Sequence, residues 1–178
     1  FNIDEKGSIT DTIIYAQGDV VKTYYNLEPR VSIGYMVSAN TSIKAAYTRN
    51  AQYMHQISNS NGASPFDKWA STSNIIKPQI SNQFSLGYYS NIILNTYEFT
   101  AEAYYKEMEN VLDYRNGADL FLNETVETQI LFGKGRAYGI EFMLKKKAGK
   151  LTGWISYTLS KSERKINDIN NNEWYNAT

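Results

Sequence analysis

The most informative pattern in the chain is a strict alternation of apolar and polar positions. It occurs in two runs, from Phe84 to Tyr88 and from Tyr97 to Tyr105, which are separated by a break at 91–95. A period of two places each set of residues on its own face of a strand, and the many Tyr and Phe residues favour strands over a helix. The second run has nine residues, within the ~9–11 that a tilted strand needs to cross a bilayer. The stretch therefore predicts a membrane-length hairpin with one apolar and one polar face.

The same alternation on both sides of this hairpin predicts six strands in all. They lie near 25–38, 42–54, 79–92, 96–112, 136–147 and 150–163. Tight turns at 39–41, 93–95 and 148–150 alternate with long polar connections at 55–78, at 113–136 and from 162 onward, and residues 1–24 are interpreted as a long loop. The predicted fold is all-β, an antiparallel meander of about six or seven long strands. Short turns at one rim and long loops at the other are typical of outer-membrane barrels.

Composition excludes several classes of function. The 18 Lys and Arg residues balance 18 Asp and Glu residues and are dispersed over 178 positions, so no nucleic-acid partner is predicted. Because Cys is absent, disulfides and thiolate metal sites are excluded. The mean hydropathy of -0.48 and the lack of a long apolar stretch leave strands as the only way to cross a membrane. No secretion signal follows Phe1, so we expect a cytosolic protein or a piece of a longer one.

Four blocks of the sequence resemble a known family. They are 26–58, IKPQISNQFSLGYYSN at 76–91, AEAYYKEMENVLDY at 101–114, and FGKGRAYGIEFMLKKKAGKLTGWISYTLS at 132–160. In order and content these blocks are similar to the C-terminal barrel half of TonB-dependent outer-membrane receptors of the type abundant in Bacteroidetes. The resemblance implies a barrel of about 22 strands, a plug domain inside it and a TonB box. It also implies that residues 1–178 are a fragment, an open curved segment of that barrel without plug, TonB box or signal peptide.

The resemblance further implies a transporter of the bacterial outer membrane. Such a receptor imports a scarce nutrient, which can be a siderophore or other metal chelate, a glycan or a peptide, without covalent chemistry and without a cofactor or metal of its own. The implied partners are outer-membrane lipid, the receptor's own plug, the TonB complex, a possible surface lipoprotein and the substrate. The apolar side chains would face lipid, and Glu98, Glu102, Glu141 and Lys145 would face a wet lumen or the plug.

Two other functions compete with this interpretation. A soluble β-sandwich that binds carbohydrate would use similar strands, and partition into detergent or membrane fractions distinguishes it from a barrel. An outer-membrane protease or lipase is disfavoured because His55 is the only histidine and no nucleophile motif accompanies it.

Candidate ligand-contacting residues lie in the long connections. They are His55, Phe66, Trp69, Trp174 and Tyr175. Aromatic residues in exposed loops can stack on sugars or apolar ligands, and they equally well serve to hold a loop in place.

Three other motifs have ordinary interpretations. Gly133–Arg136 lacks the Ser or Thr of a phosphate-binding loop, and Asp168–Asn172 lacks the Gly of a calcium loop. Lys145–Lys147 could indicate nucleic acid or anionic lipid, but a solvated periplasmic rim is the better interpretation beside a tight turn.

Overall fold

The computed structural model of the protein describes residues 2–3, 9–12, 14, 16–57, 68–115, 117–118 and 126–177. In chain order the strands are β1 (Asn2–Ile3), β2 (Ile9–Asp11), β3 (Arg30–Ser38), β4 (Thr41–Gln52), β5 (Met54–Ile57), β6 (Lys68–Ser71), β7 (Gln79–Ile92), β8 (Tyr97–Tyr114), β9 (Ile130–Lys146), β10 (Gly153–Ile166) and β11 (Tyr175–Asn176). Two short 3-10 helices lie at Val126–Gln129 and Asn170–Asn172. Nowhere in the described ranges is a helix long and apolar enough to cross a membrane.

Seven strands form one antiparallel sheet in the order β11-β10-β9-β8-β7-β4-β3. Each long strand pairs with the long strand that precedes or follows it in sequence, while β1–β2 and β5–β6 form separate two-stranded pairs. The predicted all-β meander is therefore confirmed, and the six predicted strands are β3, β4, β7, β8, β9 and β10.

The element boundaries differ from the predicted ones mainly at the long connections. β3 begins at Arg30 and not near 25, whereas β9 begins at Ile130, six positions before the predicted start at 136. The connection predicted at 55–78 contains the β5–β6 pair, and the segment after 162 continues β10 and then returns as β11. Residues 58–67 and 119–125 of the two long connections lie outside the described residues.

The register of the sheet separates the alternating residues onto two faces. The apolar face carries Val31, Ile33 and Tyr35 of β3, Ile43, Ala45 and Tyr47 of β4, Phe84, Leu86 and Tyr88 of β7, Phe99, Ala101, Ala103 and Tyr105 of β8, Tyr138, Ile140, Phe142 and Leu144 of β9, and Ile155, Tyr157 and Leu159 of β10. The polar face carries Lys44, Gln83, Glu98, Glu102, Lys106, Glu141, Lys145, Ser156 and Thr158. Most of the large side chains of the apolar face are exposed, so the sheet covers no core there.

The two ends of the sheet are built differently. Turns at 39–40, 93–96 and 147–152 join neighbouring strands at what we call the short-turn end. Ile93 and Leu94 have φ of 50° and 51°, a left-handed conformation that costs a bulky or β-branched residue on the order of 1–3 kcal/mol. The turn is closed by a hydrogen bond of 2.9 Å from the Thr96 amide to the Ile93 carbonyl.

The opposite, long-connection end contains the buried apolar residues. Two apolar clusters form there, one around Ile57, Ile76 and Ile130 and the other around Val111, Leu131 and Ile166. The register of β8 shifts between Glu109 and Val111, and Asn110 has φ of 55°. This bulge moves Val111 to the polar side of the sheet, so the two clusters lie on opposite faces. Beyond the alternating part of the strands, the sheet is therefore covered by packed connections, and its faces are no longer exposed there.

Candidate functional site

The polar face carries a network of charged and aromatic side chains on β4, β7 and β8. The Tyr89 hydroxyl donates a 2.8 Å hydrogen bond to Oε1 of Glu102. The Lys44 ammonium lies 4.8 Å from the centre of the Tyr89 ring, within range of a cation–π interaction. Glu141 lies opposite Glu102 in the register of β8 and β9. This face therefore offers both signs of charge to a polar ligand or domain.

A pocket of about 220 Å³ opens on the same face near the short-turn end. Its walls include Met36, Lys44, Tyr89, Asn91 and Glu98. Glu98 is held there by Lys147, whose Nζ lies 3.2 Å from Oε2 of Glu98 and also donates a 2.6 Å hydrogen bond to Oδ1 of Asn91. The pocket therefore has a mixed polar and apolar lining, and Lys147 holds Glu98 and Asn91 in place at its wall.

His55 lies in β5 and is buried, with only 4% of its surface exposed. It shares the buried side of the hairpin with Ile57, which belongs to the first apolar cluster. Burial lowers the pKa of the His55 imidazole, and a hydrogen bond to the Lys77 backbone only partly offsets this. Nε2 has no hydrogen-bond partner among the described residues. The His55 ring is therefore enclosed on the buried side of the hairpin in this conformation.

The loop aromatics have different surroundings from one another. Trp69 lies in β6 and is 64% exposed, so its ring is available at the long-connection end. Its register partner is Gln56, on the side of the β5–β6 pair opposite His55. Phe66 lies outside the described residues.

Trp174 and Tyr175 belong to the segment that follows β10 and folds back on the sheet. The Arg136 guanidinium lies 4.2 Å from the centre of the Trp174 ring. Tyr175 packs on the second apolar cluster, and its hydroxyl donates a 3.2 Å hydrogen bond to Oδ2 of Asp113. Burial and then the charge of Asp113 raise the pKa of Tyr175. Both rings have contacts within the protein, and the four described candidates, His55, Trp69, Trp174 and Tyr175, do not line the pocket near the short-turn end.

A further arrangement crosses the apolar face at its limit toward the long-connection end. Register aligns an aromatic row, Tyr47, Phe84, Tyr105 and Tyr138, and immediately above it a polar row, Arg49, Asn82, Glu107, Arg136 and Glu163. The rows are linked, since Tyr47 donates to Asn82 at 2.9 Å and Tyr105 donates to Glu107 at 3.1 Å. Arg136 Nε lies 2.7 Å from Oε2 of Glu163. The sequence signal for these rows is an aromatic residue two positions from a charged one, which occurs on most of these strands.

The described residues contain no group of three or more His, Cys, Asp or Glu side chains that could hold a metal ion. The interactions found among the described candidate side chains are hydrogen bonds, charge interactions and aromatic contacts.

Comparison with known protein families identifies the relatives of the chain. The sequence model described as TonB dependent receptor-like, beta-barrel, matches residues 3–178. The chain belongs to this family of TonB-dependent receptor barrels. No curated protein and no solved structure gives a significant match.

Family membership explains the two faces of the sheet. TonB-dependent receptors are outer-membrane proteins of nutrient transport. In barrels of that membrane, an outward apolar band is bordered by aromatic girdles and the interior is polar. The aromatic row and the polar row above it have the order of such a girdle and of the aqueous boundary beyond it.

Proposed function

We propose that this chain is part of the wall of a TonB-dependent receptor that imports a scarce nutrient through the outer membrane of a Bacteroidetes-type bacterium. The nutrient is a metal chelate, a glycan or a peptide. The apolar face contacts lipid, the polar face lines the lumen and contacts the plug, and the long-connection end lies at the cell surface. The wall contributes selectivity and a path for the substrate, while the TonB complex supplies the energy.

The observation that carries the proposal is the height of the apolar face. On β8 it extends from Tyr97 to Tyr105, which corresponds to roughly 26 Å along the strand at ~3.3 Å per residue. A strand tilt of about 40° reduces this to ~20 Å, which together with bordering side chains approaches the ~25 Å band of outer-membrane barrels. A face of this height, exposed on six neighbouring strands, suits contact with lipid better than contact with water.

The proposal also treats the seven strands as a segment of a larger barrel, and the open shape of the sheet supports this. β3 pairs with β4 on one side and has no partner on the other among the described strands. Residues 79–162 hold the centre of the wall, and neighbouring strands of the complete receptor would continue the sheet at both edges.

Substrate selection is assigned to the two regions where polar side chains are presented. Trp69 and the segment that carries Trp174 and Tyr175 lie at the end where substrate would arrive. The Lys44–Tyr89–Glu102 network lies on the face along which it would pass. His55 lies in the same β5–β6 pair as Trp69, on its opposite, buried side.

Deleting the gene that contains this sequence tests the proposal. The probes are a ferric siderophore mixture, fluorescent oligosaccharides and fluorescent oligopeptides, each measured with and without a protonophore. We expect uptake of one probe class to fall to the level seen with the protonophore and to recover with the complete gene. Unchanged uptake of all three classes, or recovery of the protein in the soluble fraction, would refute the proposal.

A further inference from the structure

At the short-turn end, two of the turns lie side by side. The amide of Lys147 donates a 2.8 Å hydrogen bond to the carbonyl of Thr96, and Tyr97 lies opposite Lys146 in the register of β8 and β9. The turn 93–96 and the turn 147–152 therefore form one continuous surface. We call six of its residues the rim patch: Ile93, Leu94, Lys150 and Leu151, which are exposed, and Tyr97 and Lys146, which are half-buried.

The apolar members of the rim patch are unusually accessible. Leu94 is 97% exposed, Ile93 is 67% exposed and Leu151 is 76% exposed. Ile93 and Leu94 also adopt the left-handed conformation, which asparagine or glycine adopts with less strain. Apolar side chains at the tip of a turn are unfavourable in water but suit the boundary between head groups and acyl chains.

The rim patch is also basic. Lys145, Lys146, Lys147 and Lys150 lie in it or beside it, and among the described ion pairs only one involves these lysines, that of Lys147 with Glu98. Lys147 binds Glu98 and so turns toward the polar face. Lys146 lies on the apolar side, with its ammonium 5.8 Å from the centre of the Tyr97 ring. Within the described ranges, neither Lys146 nor Lys150 has a carboxylate partner, so both charges are available.

The position of these lysines on the sheet selects the kind of ligand. The row that contains Tyr97 and Lys146 is the last row of the apolar band, so a lysine there extends its ammonium to the level of lipid phosphates. A free phosphate ion would bind the lysine ammonium groups but would leave Leu94 and Leu151 in contact with water. A phospholipid satisfies both requirements, and one with a net negative charge matches the unpaired lysines better than a zwitterionic one.

We propose that the rim patch binds the head group of an anionic phospholipid in the inner leaflet of the outer membrane. Lys146 and Lys150 contact the phosphate, while Leu94 and Leu151 enter the boundary of the acyl chains. The inference rests on the proposed function, because it takes the sheet as a wall that spans the bilayer with its short turns on the periplasmic side. It adds a specific lipid partner and a device that fixes the depth of this part of the wall.

The test uses the complete receptor in nanodiscs and a tryptophan reporter, Leu94→Trp, with the parent protein subtracted. One nanodisc preparation contains phosphatidylglycerol brominated along its acyl chains, mixed with unlabelled phosphatidylethanolamine. In the other preparation phosphatidylethanolamine carries the bromine and phosphatidylglycerol does not, at equal bromine content. We expect quenching of the reporter to be at least about twofold stronger with brominated phosphatidylglycerol. In the double variant Lys146→Gln plus Lys150→Gln, we expect the ratio of quenching by brominated phosphatidylglycerol to quenching by brominated phosphatidylethanolamine to fall to about one.

Two controls separate the possible failures. The pair Lys134→Gln plus Lys165→Gln removes the same charge from the other end of β9 and β10 and should leave the lipid preference unchanged. A second reporter, Phe142→Trp, lies in the middle of the apolar face and should be quenched by either lipid. If Phe142→Trp is not quenched, the proposed function fails. If Phe142→Trp is quenched but Leu94→Trp shows no preference, or the preference survives loss of Lys146 and Lys150, the rim-patch proposal alone is refuted.

Discussion

At the scale of single residues, neighbours in sequence meet opposite surroundings. Glu141 and Phe142 are adjacent in β9, yet one belongs to the polar face and the other to the apolar face. The face of the sheet on which a side chain lies therefore determines its surroundings. Apolar residue types occupy one face and polar types the other.

Substitutions at this pair give a direct test of the assignment of faces. Phe142 lies near the middle of the apolar band, so Phe142→Arg should reduce stability in the bilayer by ~2–4 kcal/mol. Glu141→Leu, on the polar face, should change it by less than about 1 kcal/mol. Urea unfolding of the complete receptor in lipid vesicles measures both. Equal losses for the two variants would contradict the assignment.

His55 gives a prediction of pH dependence. Its pKa is lowered in the folded protein, so below the ordinary value of 6.5 the unfolded state binds more protons and the folded hairpin loses stability as pH falls. The rate of limited proteolysis between β5 and β6 should therefore rise from about pH 7.5 to about pH 5.

The matched variant His55→Phe keeps an aromatic ring in the buried position without a titrating group. Its cleavage rate, measured in parallel at each pH, corrects for the pH dependence of the protease. If the ratio of parent to His55→Phe rates is the same at both pH values, protonation of His55 does not control the hairpin.

At the scale of elements, the alternation alone predicted the long strands because one face of each is apolar along most of its length. The sequence failed where this condition ends. β5 has only four residues, too few for a reliable period, and β11 has two. At Asn110 the bulge exchanges the faces of β8, so the alternation before it no longer predicts the packing of Val111 and Asp113 beyond it.

The contact between β9 and β10 depends on a position without a side chain. A Cβ added at Gly139 would lie 2.7 Å from the Leu159 carbonyl oxygen and 2.9 Å from Cβ of Ser160. Because the former is backbone, relief requires the strands to separate. Gly139→Ala should therefore lower stability by ~1–3 kcal/mol.

Gly153→Ala is the matched control, since a Cβ at Gly153 would meet nothing within 4 Å. The apparent melting temperatures of the two variants in the same detergent provide the comparison. A Gly139→Ala protein as stable as Gly153→Ala would show that the close approach of β9 and β10 relaxes without cost.

The candidate site was only partly accessible to sequence reasoning, for a related reason. Loop aromatics could be named from composition, but whether Trp69 is exposed and Trp174 packs on Arg136 depends on contacts between distant segments. The aromatic row and the polar row above it are likewise a property of register across five strands and not of any one strand.

At the scale of the whole molecule, the sheet divides into two regions with different sources of stability. The buried apolar side chains belong to the long-connection end, where folded segments cover both faces. Between the aromatic row and the rim patch, the apolar face has no cover among the described residues, and strand pairing together with contacts between neighbouring side chains orders the sheet. Under the proposed function, lipid covers this second region, whereas the first region buries its own apolar side chains.

This division predicts the behaviour of the 178 residues expressed alone. The exposed apolar face would be in contact with water, and β3 would present an unpaired edge with apolar side chains on alternate positions, a combination that favours association between copies. We expect the chain to be insoluble without detergent, and to be soluble in detergent only as mixed oligomers. Size-exclusion chromatography with light scattering measures this, and the complete receptor in the same detergent is the control. A monodisperse monomer without detergent that unfolds cooperatively would contradict the barrel-wall interpretation, because such a protein would have to bury the apolar face against itself.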